Sequence, residues 1–227
     1  MGDGFATGHI WPEWPQILQA LMPEYNVSEI SGIGAGSEFL VSELVLCKDI
    51  KDAHVAFQWP IASRFDKLLE DNSWASLIAN DSVYSENIKN SADRKWWLSS
   101  ASVTTPIKQY HEFYIQKKQA NLRHDVYKTL VTAFLNERNC NFVFTSTSEQ
   151  DRFSNDIRFN QVRQDQIQPS PIVHFYFLTE IILPKLGLIP DPSRTELLRN
   201  LIYSTKWRPY HPDRNHIWDQ LLNKLNA

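Results

Sequence analysis

Cysteine is scarce in this chain of 227 residues. Cys47 and Cys140 are the only two, and they lie far apart in segments with helical and β-strand character. Two isolated cysteines do not form a disulfide framework, so this usage excludes the small disulfide-stabilised secreted domains. We expect free buried thiols in a reducing, cytoplasmic compartment.

Glycine is almost absent after residue 36. Six of the seven glycines lie before that point, at positions 2, 4, 8, 32, 34 and 36, and Gly187 alone serves the rest of the chain. Glycine clusters where the backbone bends sharply or approaches a ligand closely. The first two loops are therefore the predicted functional edge.

Long apolar runs and excess positive charge are also missing. No run approaches the length of a membrane span, and no basic segment followed by an apolar one indicates a signal peptide. The net charge of −3 gives no electrostatic reason to bind nucleic acid. The 42% hydrophobic and 22% charged residues are typical of one globular core.

What is present reads as helices alternating with short strands. The chain around residues 60–105 holds Trp74, Trp96 and Trp97 among polar residues and favours no single element. Proline at helix starts, apolar faces and β-prone runs indicate the other elements. We predict helices at 14–22, from Ser37 onward, at about 107–137, 171–187, 193–204 and 213–225, and strands at 25–30, 53–59 and 141–145.

This alternation predicts a doubly wound parallel sheet, in which sites form at the carboxyl ends of the strands. The loops at 2–9, 31–37, 59–66 and 146–170 are then expected to converge on one edge. In the long helix, Val126, Leu130, Val131 and Phe134 recur at helical spacing.

Four short stretches in those loops form one pattern. They are the stretch from Gly2-Asp3-Gly4 to Gly8, the stretch from Ser31 to Ser37, Val55-Ala56-Phe57-Gln58-Trp59 followed by Arg64-Phe65-Asp66, and the stretch from Asp165 through Gln168 to Pro171 followed by His174 and Leu183-Pro184. In this order and spacing they resemble the SGNH/GDSL ester hydrolases, most closely a branch common in bacteriophage and marine bacterial reading frames. The resemblance spans residues 2–186. It implies a flavodoxin-like three-layer α/β/α sandwich at 1–190, with a helical extension at 191–227 packed on it.

The resemblance also implies acyl-ester hydrolysis, often removal of acetyl groups from carbohydrates. That chemistry needs a serine after Gly-Asp, a histidine base and an aspartate that orients the histidine. Here Gly4 holds the nucleophile position and Gln168 the base position, while Asp165 remains as the orienting acid. Loss of such a pair costs about 10⁶-fold in rate in a well-studied hydrolase.

Other predicted ligand contacts follow from the same pattern. The backbone N–H groups of Gly4 and of Gly34 or Gly36 are candidates for an anion-holding nest, beside Asp3 and Ser37. Gln58 is a candidate oxyanion donor. Trp59, Trp96 and Trp97 are candidates for a sugar-stacking groove or for the core, and Arg64 for a substrate contact, an ion pair with Asp66 or a loop cap.

One departure concerns the fold. The family carries a hydrophobic strand before the Gly-Asp loop, but only Met1 precedes Gly2 here. An absent central strand leaves buried backbone groups unpaired. An upstream start, a strand from another segment or chain, and a rearranged sheet all remain open.

Several of these residues also have simpler structural explanations that compete with a functional role. Gly32-x-Gly34-x-Gly36 lacks the further glycine of a dinucleotide turn, because Ser37 stands there. Ser37 is explained by helix capping, and His174 by a satisfied, half-buried position on a helix. His211, Asp213 and His216 lack further metal ligands, and Pro212 suits a helix start. His211 is a second candidate for the base, although Arg208 stands where an acid is needed.

The sequence therefore predicts an α/β protein of the ester-hydrolase lineage with a degenerate triad. It is retained for binding a glycan or another acylated ligand, without cofactor, metal, nucleic acid or membrane. The alternatives are an active esterase that uses Thr7 or Ser37 with His211, and a non-catalytic component of a virus particle with other virion proteins as partners.

Overall fold

The computed structural model describes residues 12–31, 35–60, 62, 64–68, 70, 74–78, 96–99, 117–146, 170–205, 207 and 214–227. These residues form a mixed α/β structure that is mostly helical. The helical elements are α1 (Trp14–Leu21), α2 (Ser37–Leu46), α3 (Lys117–Glu137), α4 (Pro171–Phe177), a π-helical turn (Leu178–Ile182), α5 (Leu183–Leu186), α6 (Pro192–Ser204) and α7 (Arg214–Leu225). The strands are β1 (His54–Trp59), β2 (Arg64–Leu68), β3 (Trp74–Ile78), β4 (Trp96–Ser99) and β5 (Asn141–Ser146).

The described strands form two small sheets. β1 and β5 make a two-stranded parallel sheet, in agreement with the predicted parallel pairing of these apolar runs. The second sheet has the order β2-β3-β4, with β2 antiparallel to β3 and β3 parallel to β4. The predicted loop at 59–66 therefore ends earlier than expected, because β2 already begins at Arg64.

The chain divides into two compact units, and the division falls inside β5. The first unit contains Met1–Gly4 and Ile30–Phe142, and the second contains Phe5–Glu29 and Val143–Ala227. The predicted boundary at residue 190 stays a prediction. Helix α6, which follows that position, packs against α1 and α4 within the second unit.

The core of the first unit is built from α2, α3 and β1. At the end of β1 both faces are buried, because the adjacent Phe57, Gln58 and Trp59 are almost without solvent contact. The core itself consists of fully buried apolar side chains from all three elements. They include Leu40, Leu44, Phe57, Val131 and Leu135. Val126 and Leu130 recur at helical spacing but lie on the exposed face of α3.

The second unit buries an apolar helical core. Ile17 and Leu21 of α1, Phe175 of α4, and Leu198 and Ile202 of α6 are almost without solvent contact. Arg194 ties α6 to α1, because its Nε donates to the Ala20 carbonyl at 2.6 Å.

A π-helical turn interrupts the long helix that begins at Pro171. The Leu183 N–H donates to the Leu178 carbonyl, five residues back. Pro184 follows and has no N–H for an α-helical bond, so widening the preceding turn lets the helix continue through it. The helix ends at Gly187 in the left-handed conformation (φ 68°), as predicted for its single late glycine.

Two local predictions are wrong. Residues 25–30 form no strand, because the Gln19 side chain of α1 binds backbone groups there: its amide donates to the Tyr25 carbonyl and accepts from the Val27 N–H. Ser37 does not cap α2. Gly36 is the N-cap residue, and Ser37 is the first helical residue and is buried.

Candidate functional site

The Asp66 carboxylate caps the amino-terminal end of α2. Its Oδ2 accepts hydrogen bonds from the backbone N–H of Gly36 at 2.7 Å and of Phe39 at 3.1 Å. The first turn of a helix presents N–H groups without helical partners and the positive end of the helix dipole. Asp66 is only 3% exposed, so the chain places its own buried anion at this helix end.

Gly36 is required by this close approach. A Cβ atom at position 36 would lie 2.8 Å from Asp66 Oδ2, closer than real Cβ contacts come. The backbone at Gly36 is extended (φ −94°), so spatial crowding rather than a left-handed conformation selects glycine here. The Gly36 N–H that was predicted for an anion nest is thus directed at Asp66.

Glu38 and Arg123 extend the cap into a network. Glu38 Oε2 accepts from the Asp66 N–H at 3.0 Å, and Glu38 Oε1 lies 3.1 Å from Arg123 Nε. The Arg123 guanidinium also donates to the carbonyls of Ala62 (3.3 Å) and Arg64 (3.0 Å). One cation on α3 therefore joins the start of α2 to the start of β2.

Burial governs the electrostatics of this network. Burial raises the pKa of Glu38, and the nearby Arg123 charge offsets only part of that effect. The pKa of the Tyr127 hydroxyl is also raised, first by burial and then by the negative charge of Glu38. Because desolvation outweighs the Arg123 charge, Glu38 binds a proton more readily than an exposed glutamate does.

The carboxyl end of β1 is occupied by core side chains. Gln58 is buried, and Trp59 is 1% exposed. The Trp59 ring lies 4.3 Å from the ring of Phe57 and meets the His124 ring edge-on at 5.0 Å. The pKa of His124 is lowered, first by burial. The indole faces pack inside the protein, so the predicted sugar-stacking role of Trp59 gives way to the core alternative.

The second unit also buries uncharged polar groups. Within the described part of the chain, the buried hydroxyls of Thr145, near the end of β5, and of Ser170, just before α4, have no hydrogen-bond partner. The Trp14 indole N–H is in the same situation. His174 is 3% exposed, and burial lowers its pKa to about 3. The predicted half-buried histidine is therefore completely buried and neutral at pH 7.

The structure describes only part of the predicted site. Gly36 and the Arg64 carbonyl both belong to the hydrogen-bond network around Asp66 and Arg123. Gln58 and Trp59 are the last two residues of β1. The Arg64 carbonyl accepts from Arg123, and the roles predicted for the Arg64 side chain, which are a substrate contact, an ion pair with Asp66 or a loop cap, stay predictions. The remaining predicted positions, which are Asp3, Gly4, Thr7, Gly34, Trp97, Asp165, Gln168, Arg208, His211 and Asp213, fall outside the described residues or have side chains that are not described. Their roles stay predictions.

Sequence reasoning missed Glu38 and Arg123 and did not place Asp66 at the start of α2. A glutamate in the first turn of a helix is a recognisable signal, because it favours the positive end of the dipole. Asp66 belongs to the Arg64-Phe65-Asp66 motif, but it caps a helix whose N-cap residue, Gly36, precedes it by 30 residues. Arg123 carries no local signal, since its partners come from other elements.

No protein-family model, curated protein or solved structure matches this chain.

Within the described ranges, no three His, Cys, Asp or Glu side chains are grouped to hold a metal ion. None of the helices in the described part of the chain is both long and apolar enough to cross a bilayer. Cys47 and Cys140 are free thiols, as predicted; Cys140 is buried, whereas the prediction of burial is wrong for the half-buried Cys47.

Proposed function

We propose that the chain is a non-hydrolysing member of the SGNH/GDSL ester-hydrolase lineage that is retained to bind an acylated carbohydrate. In this proposal the parallel strands β1 and β5 belong to a flavodoxin-like three-layer sandwich. Gly4 and Gln168 replace the nucleophile and base, so neither attack nor proton transfer is supplied at those positions.

The capped start of α2 is the observation that carries this proposal. An oxyanion hole needs N–H groups aimed at the position where negative charge develops. The Gly36 N–H instead points at Asp66 Oδ2, 2.7 Å away. Loss of one oxyanion donor costs about 10²–10³ in rate, and a buried carboxylate at the same place repels a second anion.

Retained binding is supported by the buried hydroxyls of Thr145 and Ser170. A buried hydroxyl without a partner costs about 1–3 kcal/mol, so its retention calls for an explanation. These two residues flank the segment that holds Asp165 and Gln168. Hydroxyl and carbonyl groups of a sugar ester are suitable partners for such side chains.

Ester turnover tests the first half of the proposal. Purified protein is assayed with p-nitrophenyl acetate and labelled with a fluorophosphonate probe, in parallel with the Asp165→Asn variant. We expect neither turnover above the blank nor labelling for either protein. Robust turnover that disappears in Asp165→Asn would overturn the loss of catalysis.

Calorimetric titration with partially acetylated xylo-oligosaccharides tests the second half. We expect saturable binding, weakened in Thr145→Val and unchanged in Thr129→Val, whose hydroxyl is exposed on α3 and bonded to the Asp125 carbonyl. Deacetylated oligosaccharides show whether the acyl group is recognised. Absence of binding to both sugars would contradict this half.

A structural component of an assembly is the second candidate. It is favoured by the exposed apolar side chains of α3, which an isolated protein has no need to present. The active-esterase alternative with Ser37 as nucleophile is disfavoured, because Ser37 is buried at the start of α2.

A further inference from the structure

Helix α3 carries an apolar stripe on its solvent side. We define the stripe as Leu122, Val126 and Leu130, which are 64%, 57% and 48% exposed. Side chains four residues apart on an α-helix differ by about 40° around its axis, so these three form one continuous row. The fully buried Val131 and Leu135 lie on the opposite side.

The inward face of α3 is already occupied by its own unit. Arg123 binds Glu38 of α2, and the His124 ring meets Trp59 of β1. The stripe is thus an additional surface and not a poorly packed part of this core. Contiguous exposed apolar side chains of this kind mark interaction sites.

The stripe is symmetric about Val126. Leu122 and Leu130 lie one helical turn to either side, so a second α3 running antiparallel brings Leu122 against Leu130 of the second copy. Val126 then meets Val126 of the second copy on the two-fold axis. A closed two-fold contact of this form uses one surface twice.

The charges at the ends of α3 select this direction. Lys118 at the start and Glu137 at the end are both exposed. In the antiparallel register, Lys118 and Glu137 of the second copy are offset by three residues, about 4.5 Å along the axis, within reach of a lysine side chain. A parallel pair would place like charges together, and opposed helix dipoles also favour the antiparallel arrangement.

We propose that the stripe is a self-association surface through which two copies of this chain pair by antiparallel packing of α3. A single helical row is smaller than a standard interface of about 800 Å² per partner. The dimer is therefore weak and concentration-dependent, in the micromolar to sub-millimolar range. This inference goes beyond the proposed function and stands whether or not the chain binds a sugar.

Analytical ultracentrifugation over that concentration range tests the proposal. The wild type is expected to shift reversibly from monomer to dimer. Val126→Arg places two cations on the two-fold axis and is expected to weaken association at least tenfold. Leu68→Arg is the matched control, because Leu68 is also exposed and apolar in the first unit but lies on β2; it is expected to associate as the wild type does.

Cysteine cross-linking checks the register. In a Cys47→Ser background, Val126→Cys is expected to give a disulfide-linked dimer on mild oxidation, whereas Leu68→Cys is not. A wild type that stays monomeric up to sub-millimolar concentration overturns the proposal. Association that survives Val126→Arg, or that gives no Val126→Cys cross-link, overturns it as well.

Discussion

The two compact units differ in the charge that they bury. The first unit buries a network of charged side chains, because Asp66, Glu38 and Arg123 are joined by hydrogen bonds and an ion pair. The second unit buries a neutral histidine, His174, and two hydroxyls for which the described part of the chain offers no hydrogen-bond partner. A satisfied network fixes one arrangement of elements, whereas unsatisfied polar groups cost stability and are retained for another reason.

Removing the Asp66 carboxylate is expected to have the largest effect. Asp66→Ala leaves the Gly36 and Phe39 N–H groups without an acceptor and uncaps α2. A lost cap and lost hydrogen bonds to a charged group together predict a decrease of about 3 kcal/mol in the free energy of unfolding. Urea denaturation measures it, with the exposed Asp49→Ala as control. A decrease below about 0.5 kcal/mol, typical of surface sites, would contradict the cap.

We expect His174 to cause the steepest pH dependence of the free energy of unfolding. Its folded pKa of about 3 lies below the unfolded value of 6.5, so the unfolded chain binds the proton more tightly. Its contribution is complete above pH 6.5 and declines as the pH falls from there towards 3, by at most about 1.4 kcal/mol per pH unit. His174→Gln is expected to flatten this decline, and His216→Gln, at an exposed histidine, to leave it unchanged. Equal pH profiles for wild type and His174→Gln would disprove the assignment.

We expect Glu38 to cause a smaller pH dependence of the free energy of unfolding, of the opposite sign. Burial raises its folded pKa above 4.5, so the folded protein binds this proton more tightly. Its contribution is largest below pH 4.5 and declines as the pH rises through the folded pKa. The stability of the wild type relative to Glu38→Gln is therefore expected to fall as the pH rises through this range. Glu43→Gln, on the same helix, serves as the control, and a difference that rises with pH would reverse the conclusion.

The unpartnered hydroxyls predict the smallest effect. Ser170→Ala removes a buried hydroxyl that has no hydrogen-bond partner among the described residues, so it is expected to raise the free energy of unfolding of the unliganded protein by up to about 1 kcal/mol. Thr205→Ala is the comparison, because the Thr205 hydroxyl donates to the Leu201 carbonyl and its removal is expected to destabilise. Destabilisation by Ser170→Ala would show that the hydroxyl already has a partner.

The sequence predicts those elements whose signals are local. Pro171 and Gly187 mark the ends of the interrupted helix, and the apolar runs 53–59 and 141–145 become β1 and β5. Each signal acts within one element, through a fixed φ, a left-handed cap or a continuous buried face.

What the sequence does not reveal depends on partners from other elements. The strands β2, β3 and β4 carry mixed residues without a clear period, and their pairing decides their conformation. Residues 25–30 have β propensity, but the Gln19 side chain binds the Tyr25 carbonyl and the Val27 N–H. The Asp66–Gly36 hydrogen bond could not be predicted from the sequence. A motif gives the positions of residues along the chain, but it does not show which backbone N–H group a carboxylate binds in the folded protein.

Amide hydrogen exchange at Gly36 tests most directly whether Asp66 closes the start of α2. In the wild type, the Gly36 N–H is expected to be protected from exchange by its hydrogen bond to Asp66. In Asp66→Ala, exchange at Gly36 is expected to accelerate while the amides of β1 stay protected. Fast exchange at Gly36 in the wild type would mean that this N–H is open to an outside anion, and the structural support for lost catalysis would disappear.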